Sequence, residues 1–264
     1  MSDPVLFDVA DGIARITLNR PDAGNAIDLA MAHALVAASI RCQTDAAIRC
    51  VVLTGAGRLF CAGGDVGLFA AAGDDVPALL SELAGTLHLA LARFARMEKP
   101  LVVLVNGPAA GAGLSMAISG DVVLCARSAH FTAAYGAIGL TPDGGMTWLL
   151  PRLVGLRKAQ EIILTNRRIK ADEAEAIGLV TRVVDDESLE AEGAAMAARL
   201  CGAAIQAIGV ARGLLQDSFS SGLESQMEAE ARAISASGGR PESREGLAAY
   251  FAKRSPVFKG TDHG

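Results

Sequence analysis

Short apolar runs recur along the first two thirds of the chain, each cut off by glycine, proline or asparagine. Val5 to Val9 and Ile13 to Leu18 flank Asp11-Gly12, a pairing that predicts a β-hairpin. Cys50 to Thr54, Leu101 to Val105 and Val122 to Ala126 are too short for globular helices and rich in β-branched residues, so they predict buried strands. Between them the spacing turns helical. Ile27, Met31, Leu35 and Ala38 predict a helix that Asp28 can cap. Leu80, Leu83, Leu87, Leu91 and Phe94 form the core stripe of a long helix over about Ala78 to Met97, entered through a mobile loop at Asp74-Asp75-Val76-Pro77. Ser81, Ala84, Gly85, His88, Ala92 and Ala95 make a second, small-residue face of it.

A further helix runs through Trp148 and Leu150 and stops before Pro151. Beyond Leu156 helices dominate: Lys158–Thr165, Ala171–Ile177, Glu187–Leu200, Ala203–Leu215, Leu223–Ser235 and Pro241–Lys253, with a short strand at Leu179 to Val184. The order implies an α/β core over residues 1–200 and a helical region over 201–264.

Two strands empty into loops of small residues. Cys50 to Thr54 leads to Phe60-Cys61-Ala62-Gly63-Gly64-Asp65, and Leu101 to Val105 leads through Asn106-Gly107-Pro108 to Gly111-Ala112-Gly113 and an apolar helix start. Strand, small-residue turn and helix start leave backbone N–H groups without intrahelical partners, and such groups stabilise an anion or a developing oxyanion. Close packing would also require small residues there. Two such loops on neighbouring strands could aim their donors at one point.

Composition narrows the function. Half of the 264 residues are apolar, enough for a large core, while aromatics make up only 4% and offer no stacking platform for bases. With a net charge of −5 and no basic stripe, nucleic acid or an anionic membrane surface is not an expected partner. No apolar run approaches the ~20 residues of a membrane span, and Asp3, Asp8 and Asp11 interrupt any leader-like segment. The five cysteines are scattered without C-x-x-C spacing, and the four histidines form no metal-ligand pattern. Together these features predict a cytoplasmic protein with reduced thiols, Cys61 included, and no metal.

The two Gly-rich loops, with Gly120-Asp121 after the second, resemble those of the crotonase (enoyl-CoA hydratase/isomerase) superfamily. Supporting matches run from Asn19-Arg20-Pro21 and Asn25-Ala26 through Pro142-Asp143-Gly144-Gly145 and Pro151-Arg152-Leu153-Val154-Gly155 to Gly178-Leu179-Val180 and Phe251-Ala252-Lys253-Arg254-Ser255-Pro256. The resemblance implies an α/β spiral of ββα repeats with a C-terminal helical trimerisation region, assembled as a homotrimer or dimer of trimers. It implies no permanent cofactor, coenzyme A entering as part of a thioester substrate. It also implies that the amides of Gly64 and Ala112 hold the thioester oxygen, that Ala62, Gly63 and Asp65 line the coenzyme, and that Lys253 faces a phosphate.

Where the family's hydratases carry two glutamates, this chain has Ser115 and Tyr135. The carboxylate left is Asp143, and the run from Pro142 to Arg152 resembles the phenylacetate-pathway isomerases. The chain also resembles the 4-chlorobenzoyl-CoA dehalogenases, in which an aspartate attacks the ring and a histidine, at the place of His88, activates water. Asp143 could instead cap the helix that follows Pro142. A non-enzymatic crotonase-fold protein that binds RNA is a further reading, against which the charge and the retained Asp143 both count.

Overall fold

The computed structural model describes residues 3–259. The hairpin forms as the pattern predicts. β1 (Val5–Ala10) and β2 (Ile13–Leu18) pair antiparallel, and both turn residues take positive φ, 52° at Asp11 and 84° at Gly12. Those values belong to a type I′ turn, which matches the twist of the flanking strands. The Asp28 carboxylate accepts from the Met31 amide at 2.8 Å and caps α1 (Leu29–Thr44). The chain continues through β3 (Cys50–Gly55), α2 (Val66–Ala72), α3 (Val76–Arg96) and β4 (Leu101–Val105). Next come β5 (Ala109–Ala110), α4 (Ala112–Ala117), β6 (Val122–Ala126) and β7 (His130–Thr132). After β7 the chain runs through α5 (Met146–Val154), α6 (Leu156–Thr165), β8 (Ile169–Lys170), α7 (Ala171–Ala176) and β9 (Arg182–Val184). It closes with α8 (Leu189–Cys201), α9 (Ile205–Ser218), α10 (Leu223–Gly238) and α11 (Pro241–Phe251).

The main sheet has the order β1-β2-β3-β4-β6-β9, parallel from β2 onward, and β5, β7 and β8 make a second, small sheet. All of β4 is buried, as a central parallel strand covered on both faces must be. Because β3 and β4 are parallel neighbours, their carboxyl ends lie side by side. The two Gly-rich loops therefore leave the sheet together, at the edge where α/β proteins place their ligands.

Several elements depart from the pattern. Pro151 lies inside α5, which ends only at Gly155 (φ 78°); one proline removes a single intrahelical bond, and burial of Met146 and Leu150 holds the helix through it. The stretch expected as a mobile loop is a 3-10 turn at Gly73–Asp75, with Pro77 in the first turn of α3. α2 and the strands β5, β7 and β8 carry no local signal. The strands have two or three residues each, and pairing across the chain creates them. Leu179 and Val180 close α7 onto the Ala174 carbonyl, so β9 starts later than expected.

The last helices are tied to the core through polar groups. Arg212 of α9, 7% exposed at its side chain, reaches Asp121 before β6 at 2.8 Å and the carbonyls of Phe94 and Met97 at the end of α3. Glu242 is buried and accepts from the amides of Gln206 and Ala207, at the start of α9. α10 buries none of its residues, and Leu223, Met227 and Ile234 are exposed on it. Among the described residues no single helix is long and apolar enough to cross a membrane.

Candidate active site

The loops after β3 and β4 are laced together by backbone bonds. The Phe60 and Cys61 amides donate to the Pro108 carbonyl, and the Ala110 amide donates to the Cys61 carbonyl at 2.9 Å. Close approach is what two of the glycines permit. A Cβ on Gly63 would lie 2.9 Å from the Ala110 carbonyl, and one on Gly113 would lie 2.8 Å from the Cys61 Cβ.

Gly64 has a different role. Ile27 bridges to it in parallel fashion, donating to the Gly63 carbonyl and accepting from the Asp65 amide. Alternation along an extended segment then turns the Gly64 N–H away from Ile27. Ala112 is the first residue of α4, where an amide has no intrahelical acceptor. Among the described residues neither amide has a hydrogen-bond acceptor, and both residues line one cavity.

That cavity holds about 430 Å³. Its walls are largely apolar: Ile27, Ala62, Gly63, Val66 and Phe69 on one side, Leu80, Leu83, Ala84 and Leu87 of α3, and Ala137, Ile138 and Leu140. Tyr135, Thr141 and Asp143 supply the polar side chains. Asp143 is the carboxylate there, 28% exposed.

Three side chains fix the Asp143 segment. The Tyr135 hydroxyl donates to Asp143 Oδ1 at 2.5 Å, and the Ser115 hydroxyl donates to the Asp143 carbonyl at 2.9 Å. The Gly144 amide donates to His88 Nε2 at 2.9 Å. Burial, the Asp143 charge and the hydrogen bond from Tyr135 to Asp143 push the Tyr135 phenol well above its ordinary range, so it stays a neutral donor. His88 Nε2 also lies 3.4 Å from Asp143 Oδ2. The shorter contact decides the tautomer: a nitrogen that accepts an amide proton carries its lone pair there, which puts the imidazole proton on Nδ1. With Tyr135 on Oδ1, Asp143 Oδ2 is the oxygen that faces His88 and accepts no proton from it in this tautomer.

The capping alternative for Asp143 does not hold. α5 begins at Met146 behind Gly145 with no side-chain cap, and only the Asp143 backbone carbonyl meets the Met146 amide, at 3.2 Å. Gly144 (φ 64°) and Gly145 (φ 80°) turn the chain so that the carboxylate faces the cavity instead.

Of the other residues singled out in the sequence, Ala62 and Gly63 line the cavity, whereas Asp65 and Lys253 do not. The Asp65 carboxylate is held by Arg20 at 3.1 Å and caps α2, and Lys253 is exposed beyond α11. Arg20 also pairs with Asp28 at 3.2 Å and donates to the Ala26 carbonyl, bracing the first loop. Its sequence signal was only the Asn19-Arg20-Pro21 match. Ser115 is a clamp on Asp143 as well as a missing acid. Cys61 is buried, and burial raises its thiol to about 12, the inert state expected of it. Among the described residues no cluster of His, Cys, Asp and Glu could hold a metal ion.

The enoyl-CoA hydratase/isomerase family pattern matches residues 8–261. The chain belongs to that family. Relatives span nearly its whole length. A Rhodobacter capsulatus protein named "Probable enoyl-CoA hydratase" is 39% identical, over 97% of this chain and 98% of its own. The 1,2-epoxyphenylacetyl-CoA isomerase of Escherichia coli K12 is 36% identical, over 98% of this chain and 100% of its own. The 4-chlorobenzoyl coenzyme A dehalogenase-2 of an Arthrobacter species is 34% identical, over 92% and 88%. The crystal structure of an enoyl-CoA hydratase from Polaromonas sp. JS666 superimposes with a TM-score of 0.91 at 30% identity, covering 96% of this chain and 98% of that one. The crotonase-type α/β fold implied by the Gly-rich loops is the one adopted, and the chain is an enzyme of this family.

Proposed function

We propose that the enzyme isomerises an unsaturated or ring-modified acyl-CoA by moving a proton through Asp143. The observation that carries the reading is the Asp143 carboxylate in the wall of an apolar cavity, one oxygen bound by Tyr135 and the other 3.4 Å from His88 Nε2, with the Gly64 and Ala112 amides, unpaired among the described residues, in the same cavity. The thioester oxygen sits between the Gly64 and Ala112 N–H groups. Asp143 Oδ2 takes a proton from a carbon of the acyl group, and the C–H electron pair delocalises into the thioester to give an enolate. The two amides stabilise the charge on its oxygen as it develops. Asp143 then returns the proton to a different carbon, so the double bond moves and composition is unchanged. Tyr135 and Ser115 keep the carboxylate segment in place through both transfers.

Hydration needs a second acid to deliver or activate water, and the polar neighbours of Asp143 are a hydroxyl, a phenol and an imidazole. Dehalogenation is the second reading, favoured by His88 standing 3.4 Å from Asp143. It requires the His88 lone pair for water, and the Gly144 amide occupies that lone pair.

A screen of CoA thioesters, scored by mass and ultraviolet absorbance, tests the choice. Isomerisation predicts an absorbance change at constant mass. Product heavier by one water would contradict it, and released halide, with an aryl ester accumulating on Asp143 in a His88→Gln variant, would establish the second reading.

We also propose that the chain self-associates as a trimer or dimer of trimers. Support comes from the apolar side chains that α9 to α11 and the link after α9 leave exposed, among them Leu215, Phe219, Leu223, Met227 and Phe251. Sedimentation at micromolar concentration should find no monomer; monomer alone would overturn the assembly.

A further inference from the structure

Next to the proposed acyl site lies a second cavity of about 480 Å³, bounded by the start of α1, by α2 and by α3. It is lined mostly by apolar side chains, and its one charged group, Asp28, is already engaged with the Met31 amide and with Arg20. Phe69 and Leu83 belong to the walls of both cavities.

The two partition residues differ in how firmly they are held. Leu83 is 6% exposed in the middle of the 21-residue helix α3, where the core fixes it. Phe69 is half-buried on α2, a seven-residue helix with no buried residue. Beyond that helix comes Gly73, at φ +53° and with open space where its Cβ would be. The ring rests on Gly64: its Cζ lies 2.6 Å from the position a Gly64 Cβ would take. A residue that separates the two cavities is therefore seated on the backbone of one proposed oxyanion donor, and only the absence of a side chain at Gly64 makes room for it.

We propose that Phe69 is the specificity-determining residue that sets the length limit of the acyl group: with its ring on Gly64 the chamber ends there, and turning the ring off Gly64 joins the two cavities into one apolar passage for a longer acyl tail. The occupant is the hydrocarbon end of the thioester substrate, because both spaces are lined by aliphatic and aromatic carbon. This rests on the acyl-CoA reading of the main cavity but not on the isomerisation chemistry.

The test is calorimetric binding of saturated straight-chain acyl-CoAs, butanoyl to hexadecanoyl, to the full-length wild-type enzyme and to Phe69→Ala and Phe69→Leu variants. Wild-type affinity should rise with length and level off at a limit. In Phe69→Ala the rise should continue for several more carbons, at about fourfold per buried methylene, and Phe69→Leu should extend it by less. Equal limits in the three proteins would overturn the proposal. If Phe69→Ala does not fold, Phe69→Leu decides alone, an unshifted limit counting against the gate. Saturated chains offer no double bond to move, so a shifted limit beside a failed isomerase screen would sink the isomerisation and leave the gate standing. No binding at any length would overturn the gate and the acyl-CoA reading together.

Discussion

Replacing Asp143 by Asn should lower turnover on every accepted thioester by on the order of a hundred- to ten-thousandfold, the range for loss of a positioned acid-base group. Affinity for the thioester should survive, because in the proposed mode of binding the contacts come from the Gly64 and Ala112 amides and from apolar cavity walls that the substitution leaves alone. An Asn side chain can still accept from the Tyr135 hydroxyl at the place of Oδ1, so the segment keeps its clamp while losing a basic oxygen. A drop in kcat at constant Kd is the signature of chemistry. A matching loss of binding would mean instead that the carboxylate holds the cavity open, and wild-type turnover would remove Asp143 from the mechanism.

The largest effect on stability is expected far from the cavity, at Arg212. Its guanidinium is buried, pairs with Asp121, and donates to the carbonyls of Phe94 and Met97. The same Asp121 carboxylate accepts from the Leu101 amide at 2.6 Å, so one ion pair joins α9, the end of α3 and the first residue of the central strand. Arg212→Met keeps much of the apolar volume but leaves two carbonyls without donors and Asp121 without its partner. Breaking such a pair on one side costs roughly 3 kcal/mol or more. Urea unfolding should show a lower midpoint with an unchanged slope. A midpoint within experimental error of wild type would show that water or a rearranged Lys or Arg replaces the guanidinium without loss.

The sequence made the parallel core legible because β4 and β6 are short, β-branched and buried on both faces, a pattern with few other solutions. The two Gly-rich loops could be read as the mouths of two strands, but Gly64 and Ala112 as oxyanion donors came only with the family resemblance, and that the strands are parallel neighbours is known from the structure. What sequence could not carry was anything made by pairing across the chain. The capping potential of Asp143 is local and visible, but whether its carboxylate caps or faces a cavity depends on the two positive-φ glycines after it. The bond between His88 and the Gly144 amide joins residues 56 apart, and no spacing rule announces it. α2 escaped notice for the opposite reason: seven residues without a buried face leave no periodic stripe, yet Phe69 on it bounds the site. Pro151 misled because its local cost was outweighed by the packing of Met146 and Leu150.

The central claim is that Asp143 carries a substrate proton to and from a thioester enolate. Solvent-deuterium incorporation measures this most directly: an accepted unsaturated acyl-CoA is incubated in deuterium oxide with wild-type enzyme or Asp143→Asn, and the recovered thioester is weighed by mass spectrometry. Wild-type enzyme should return isomer carrying deuterium at the exchanged carbon, and Asp143→Asn should bind the thioester but leave it unlabelled over the same interval. Equal labelling by both proteins would contradict the account.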